Sequence, residues 1–192
     1  MPVDLPPSMH ERVVCSIQAA IKYDVPANLV LAVAETEGGK PGQWVRNTNG
    51  THDVGYMQFN TSYLATQLAR YGITAADVAA SGCYAFELAT WRLRGHLQND
   101  QGDLWTRAAN YHSRTPQYNT IYRAKLLVKA AKWESWLRAR FDTFERGGGG
   151  ANAPARATFN AASARSEVIA HPMQASLSPA GYVPRSIVAT AH

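Results

Sequence analysis

The chain has 192 residues, 46% of them hydrophobic and 17% charged, which describes one folded domain with room for an appendage and excludes a disordered chain. No run approaches the roughly 18 apolar residues of a membrane span, and Met1 to Pro7 lacks the basic and apolar regions of a signal peptide. The net charge of +5 is scattered, which suits an anionic polymer or plain solubility but gives no basic run of the kind nucleic-acid binding uses.

Ser8-Met-His-Glu11 has the pattern of a capping box, and Val13, Ile17 and Ile21 follow at every fourth position, predicting a first helix that buries them. Val25-Pro26 ends it, with Pro26 in the first turn of the next helix. Leu29 to Ala34 is apolar nearly all round, so the second helix should be buried. Gly38-Gly39 closes it, glycine being at ease in a left-handed cap. Residues 40–57 are polar and aperiodic, a loop or small hairpin. Further helices are predicted from Thr61 to Tyr71, closed by Gly72, briefly from Thr74, and from Cys83 to about Asn99. Asp103 should cap a helix through Tyr111, and Thr115-Pro116 opens a long one through Leu126, Leu127, Trp133 and Trp136. No set of strands emerges. The domain reads as mainly α, and its tryptophans are expected to fill the core.

A glycine run at Gly147–Gly150 breaks the composition. All five Trp precede it, and the Ala, Ser, Pro and Gly beyond it show no apolar period. So little large apolar surface does not offset ordering entropy, and the expected division is a domain over 8–146 and a flexible tail over 147–192. Three of the 19 basic and one of the 14 acidic residues lie in that tail, leaving the domain with 16 and 13.

Glu35 and Glu37 stand at the end of the most apolar helix. The negative end of a helix dipole and a low-dielectric surrounding both disfavour a carboxylate, so a pKa there should rise. A carboxyl still protonated near neutral pH is what a general acid requires, whereas an exposed helix-end glutamate would be ordinary. Position alone does not separate the two readings.

The neighbouring motifs do. Ala32-Val-Ala-Glu-Thr-Glu37-Gly-Gly39 is followed by Asp53-Val-Gly55-Tyr-Met57-Gln58-Phe-Asn60 and then by Ala108-Ala-Asn-Tyr111-His112-Ser113. This ordered set resembles the soluble lytic transglycosylase (SLT) superfamily, with its Glu-Ser-Gly, Gly-Leu-Met-Gln and Ala-Tyr-Asn signatures. It is most similar to the small transglycosylases of type IV secretion, conjugal-transfer and pilus systems, through the stretch from Asn49-Gly50 to Asn60. The resemblance spans about Cys15 to Leu126 and implies a lysozyme-like single domain.

It further implies Glu37 as the catalytic glutamate and Gly55, Tyr56, Met57, Gln58, Tyr111 and His112 as substrate contacts. Asp53, Asn49 and Asn60, with Asn47, would order the loop. This sequence departs from the family at Gly38, where serine is usual, at Tyr56 for leucine, and at His112 for asparagine. The implied reaction cleaves the bond between N-acetylmuramic acid and N-acetylglucosamine in peptidoglycan, with 1,6-anhydro ring formation and no second carboxylate. Two alternatives stay open: a lysozyme-like hydrolase using Glu37 with Asp53, and a non-catalytic wall-binding scaffold.

The related proteins also suggest a disulfide between Cys15 and Cys83, which fits a periplasmic location although no export signal is visible. The implied partners are peptidoglycan strands and, through the tail, components of a secretion or conjugation complex. No nucleic acid, cofactor or metal is expected, since the six histidines form no ligand spacing and no phosphate-binding glycine motif occurs.

Overall fold

The computed structural model describes residues 5–145 and 185–187. Among the described residues there are seven α-helices, one of them buried between its neighbours, with a small antiparallel sheet on the flank. In chain order the elements begin with α1 (Pro7–Tyr23) and α2 (Ala27–Glu37), then β1 (Trp44–Arg46), β2 (His52–Val54) and β3 (Phe59–Asn60). Next come α3 (Thr61–Tyr63), α4 (Ala75–Ala79), α5 (Tyr84–Asn99), α6 (Leu104–Ala109) and α7 (Pro116–Arg138). Two short strands close the set, β4 (Thr143–Glu145) and β5 (Arg185–Ile187).

Helix α2 is the axis of the fold. Every residue from Ala27 to Ala34 is buried, as its unbroken apolar run requires, and α1 and α7 pack along it. Pro26 caps α2 from outside rather than sitting in its first turn. At the other end Gly38 adopts the left-handed conformation (φ 63°) and its N–H reaches Ala34 O at 3.1 Å.

Helix α1 corrects two expectations. Its N-cap is Pro6 and Ser8 lies inside the helix, so Ser8 is not the N-cap that the sequence suggested. Glu11 is drawn away by tertiary partners, accepting from the Tyr56 hydroxyl and the Gly82 N–H. Its buried stripe runs through Val13, Ser16, Ala19 and Ala20, small residues that let α1 approach α2, whereas Ile21 stays 41% exposed. Cys15 and Cys83 form the disulfide, joining α1 to the N-cap of α5 across 68 positions. A closed loop of that size contributes about 4 kcal/mol in the chain-entropy model.

The segment 40–57 contains a hairpin, β1 against β2, extended by β3. The helix expected from Thr61 to Tyr71 is present but irregular. After α3 it widens into a π turn over Leu64–Leu68 and tightens into a 3-10 turn over Ala69–Tyr71, ending at Gly72. The π turn keeps both Leu64 and Leu68 in the core. Helix α4 has the reciprocal capping box between Thr74 and Asp77, and Asp103 caps α6 through the N–H groups of Trp105 and Thr106. Of the tryptophans, Trp105 and Trp133 are core, but Trp44 and Trp91 are 51% and 42% exposed.

The sequence suggested no element beyond Arg146. Within that stretch Arg185–Ile187 pairs antiparallel with Thr143–Glu145, beside α1 and α2, with Ser186 buried. The rest of the expected flexible tail lies outside the described residues. Among the described residues no helix is long and apolar enough to cross a membrane.

Candidate active site

The two glutamates at the end of α2 have different surroundings. Glu35 is bound to α7: its carboxylate accepts from Lys132 Nζ at 2.8 Å and Trp133 Nε1 at 2.6 Å, and its carbonyl accepts from Lys129 Nζ at 2.9 Å. Those bonds pin α7 onto α2. Glu37, one half-turn further, keeps partial access to solvent, and its carboxyl accepts from the Tyr122 hydroxyl.

Desolvation is the largest influence on Glu37 and pushes its pKa up to about 7. The hydrogen bond from Tyr122 and the charges of Arg92 and Lys129 pull it down, while Asp53 adds to the rise. The balance is a carboxyl that is substantially protonated near neutral pH. That is the state in which a carboxyl donates a proton.

The end of α2 meets the sheet loop at backbone contact. A Cβ on Gly39 would stand 2.0 Å from Gly55 O and 2.9 Å from Tyr56 O, so only glycine fits. Gly55 in turn is at φ 70°, and a Cβ there would fall 2.0 Å from Val78 O. Arg12 Nη2 donates to Gly39 O at 2.8 Å, tying the same spot to α1. The Gly38-Gly39 pair therefore serves two needs, a left-handed cap and a close approach that brings the Asp53–Asn60 segment beside Glu37.

Within that segment Gln58 adopts a positive φ of 49° and its Nε2 donates to Gly55 O at 2.8 Å. Met57 is buried, and its carbonyl accepts from the Tyr111 hydroxyl at 3.2 Å. Asp53 Oδ1 accepts from Asn60 Nδ2 at 2.9 Å, so its bond is to a side-chain amide rather than to a row of backbone N–H groups. Asn60 also donates to Thr51 Oγ1 and accepts from Ser62 N, while Asn49 accepts from Thr51 and Asn47 donates to it. These bonds order the hairpin and its exit into α3.

Tyr56 belongs to a different cluster. Its ring is buried 5.0 Å from that of Phe86, and its hydroxyl donates to Glu11, burial and that bond pushing its pKa up to about 12. Tyr111 is also buried, with its hydroxyl engaged on Met57. His112 is exposed and lies parallel to the Tyr122 ring, 4.8 Å between centroids. Burial, Lys125 and Arg92 lower its pKa against an opposing effect of Asp53, favouring the neutral imidazole.

Two residues that sequence reasoning missed complete the site. Tyr122 on α7 supplies the hydrogen bond to Glu37, and Arg92 on α5 braces the motif residues. The Arg92 guanidinium donates to Tyr111 O at 2.8 Å and lies 4.2 Å and 4.6 Å from the Tyr63 and Tyr111 ring centroids. Only the position of each within the motif-bearing stretch could have drawn attention to it. Among the described residues no group of three His, Cys, Asp or Glu is placed to hold a metal.

A mainly helical domain with a small three-stranded sheet, and a glutamate of raised pKa at the end of its buried helix, is in keeping with the lysozyme-like class. The family model described as the transglycosylase SLT domain matches residues 14–125, and the chain belongs to that family of peptidoglycan lytic transglycosylases. It is also similar to the invasion protein IagB of Salmonella typhimurium and of Salmonella typhi. Each of these is 23% identical over 127 residues, covering 66% of this chain and 77% of the relative. The substrate class is peptidoglycan.

Proposed function

We propose that this enzyme cleaves the β-1,4 bond between N-acetylmuramic acid and N-acetylglucosamine with Glu37 as the single acid and base. Glu37 donates its proton to the glycosidic oxygen as the bond to the muramoyl anomeric carbon breaks. The substrate's own N-acetyl oxygen shields the developing positive charge. The Glu37 carboxylate then removes the proton of the muramoyl 6-hydroxyl as that oxygen closes on the anomeric carbon, giving the 1,6-anhydro end. What carries this reading is the pKa of Glu37, raised by burial to about 7, which lets one group hold and then accept a proton at neutral pH. Gln58 and His112 are proposed to line the sugar path, and the buried Met57, Tyr122, Tyr111 and Tyr56 to support it from behind.

A hydrolytic reading rests on Asp53, whose charge is felt by Glu37. A water held by Asp53 would give reducing ends instead. The muropeptide profile of digested wall separates the two: anhydro ends from the wild type and nothing from Glu37→Gln support the proposal, and reducing ends overturn it.

The biological setting we infer is wall opening for a secretion or conjugation apparatus in the periplasm. The similarity to a protein named for invasion supports this, as does the Cys15–Cys83 disulfide, which suits an oxidising compartment. Residues 8–146 together with the strand Arg185–Ile187 would be the catalytic unit, and 147–184 the segment that docks to the apparatus. Binding of that segment alone to an envelope fraction of secretion-competent cells, and not of cells lacking the apparatus, would test it.

A further inference from the structure

An open groove of about 900 Å³ runs between the Thr61–Tyr71 segment and α5. Its walls hold Arg70, Arg92, Arg94 and Arg114 against one carboxylate, Asp100. That carboxylate is fully engaged, accepting from Arg114 at 3.0 Å and Asn110 at 2.9 Å and lying 2.7 Å from His96 Nδ1. Arg92 is also committed, to Tyr111 and Tyr63. Arg94 has no hydrogen-bond or ion-pair partner among the described residues, and exposed Arg70 lies over the Tyr71 ring at 4.9 Å. Beside them Tyr71 and Trp91 meet edge to face at 6.3 Å, 57% and 42% exposed.

The groove is continuous with the catalytic machinery. Arg92 and Tyr63 line it, Arg92 while bracing Tyr111, and Asn60 lines it while holding Asp53. In a peptide-bearing strand the N-acetyl groups and the amide-linked lactyl groups of the sugars are neutral, so the glycan itself offers these spare arginines nothing to pair with. In a stripped strand the only carboxylates are the short lactyl groups held against the sugar rings. The anions on this polymer are the carboxylates of the peptides borne by its muramoyl units. A guanidinium fork matches a carboxylate, and the aromatic pair offers apolar surface to the rest of a peptide.

We propose that this groove binds the carboxylate-bearing peptide of peptidoglycan, with Arg70 and Arg94 as the pairing residues, so that the enzyme prefers peptide-substituted strands. This deepens the proposed function and rests on it only for the identity of the polymer.

The test compares full-length wild type with Arg70→Gln/Arg94→Gln on purified peptidoglycan, either intact or stripped of peptides by an amidase. The wild type should favour the intact polymer, and the double variant should lower that preference about threefold to tenfold, as two exposed charge pairs allow. An unchanged preference, or an equal loss on both substrates, overturns the proposal. A second measurement needs no turnover and no variant: the tripeptide L-alanyl-γ-D-glutamyl-meso-diaminopimelate is titrated into the wild type while the Trp91 indole resonance is followed. A saturable shift supports the groove. No shift, or a shift with single-stranded DNA and none with the tripeptide, overturns it. If the wild type cleaves neither substrate while Trp91 still responds to the tripeptide, the proposed reaction fails and the groove assignment stands.

Discussion

The Tyr122 hydroxyl donates to the carboxyl of Glu37 across 85 positions of sequence, joining α7 to the end of α2. A bond donated to a carboxylate favours its charged form, so Tyr122 opposes the desolvation that raises Glu37. Tyr122→Phe removes the donor and keeps the ring against His112. The pKa of Glu37 should therefore climb further, and the alkaline limb of the kcat/KM profile should move to higher pH. A downward move would show that the hydroxyl is not acting on the charged form.

Glu37 also links stability to pH. Its folded pKa of about 7 lies above the ordinary 4.5, so the folded state binds the proton more tightly. That contribution is complete below pH 4.5 and is lost as pH rises through 7, when the folded protein must hold a charged carboxylate. The shift corresponds to about 3 kcal/mol. Glu37→Gln avoids the charge, so its melting temperature should exceed that of the wild type increasingly between pH 5 and 8. Parallel melting curves across that range would remove the buried-carboxyl assignment.

Glu35 should behave in the opposite way. Glu35→Ala strips the acceptor from buried Trp133 Nε1 and is expected to lower stability by about 1–3 kcal/mol. Glu35→Gln keeps an acceptor there and should retain wall-cleaving activity within a few fold. A Glu35→Gln protein as inactive as Glu37→Gln would mean that the catalytic role has been given to the wrong glutamate.

Gly39→Ala places a methyl 2.0 Å from a carbonyl oxygen of the backbone, where no side chain is able to move aside. The end of α2 must then separate from the Gly55–Gln58 loop, with a loss of about 1–3 kcal/mol, as overpacking gives, and a fall in activity. Denaturant unfolding with a parallel activity assay checks both. Wild-type stability in Gly39→Ala would show that the close approach is not required.

The helical frame was legible because its signals are local. The unbroken apolar run from Leu29 to Ala34, the Gly38 cap, the Thr74 and Asp103 caps and the Thr115-Pro116 start each act within a turn or two of chain. The rise in the pKa of Glu37 was legible for the same reason, since it stands where a buried helix ends. What escaped depends on partners far away in sequence. Glu11 reads as half of a capping box yet serves Tyr56 and Gly82, the latter 71 positions away. Tyr122 carries no local signal of its own, and its hydroxyl gains meaning only when α7 lies on α2. Arg92 likewise has no local signal, since the two tyrosine rings that its guanidinium lies over, Tyr63 and Tyr111, come from other segments. Strand β5 was hidden because three residues in a tail poor in large apolar groups carry no periodic signal.

The claim that Glu37 alone carries the chemistry predicts that water does not enter the product. Purified cell wall digested in oxygen-18 water, with the muropeptides analysed by mass spectrometry, tests this most directly. Unlabelled 1,6-anhydromuramoyl ends are expected from the wild type, with no cleavage by Glu37→Gln. Oxygen-18 at new reducing ends would contradict it, and would show that a water, held by Asp53 or another group, completes the reaction.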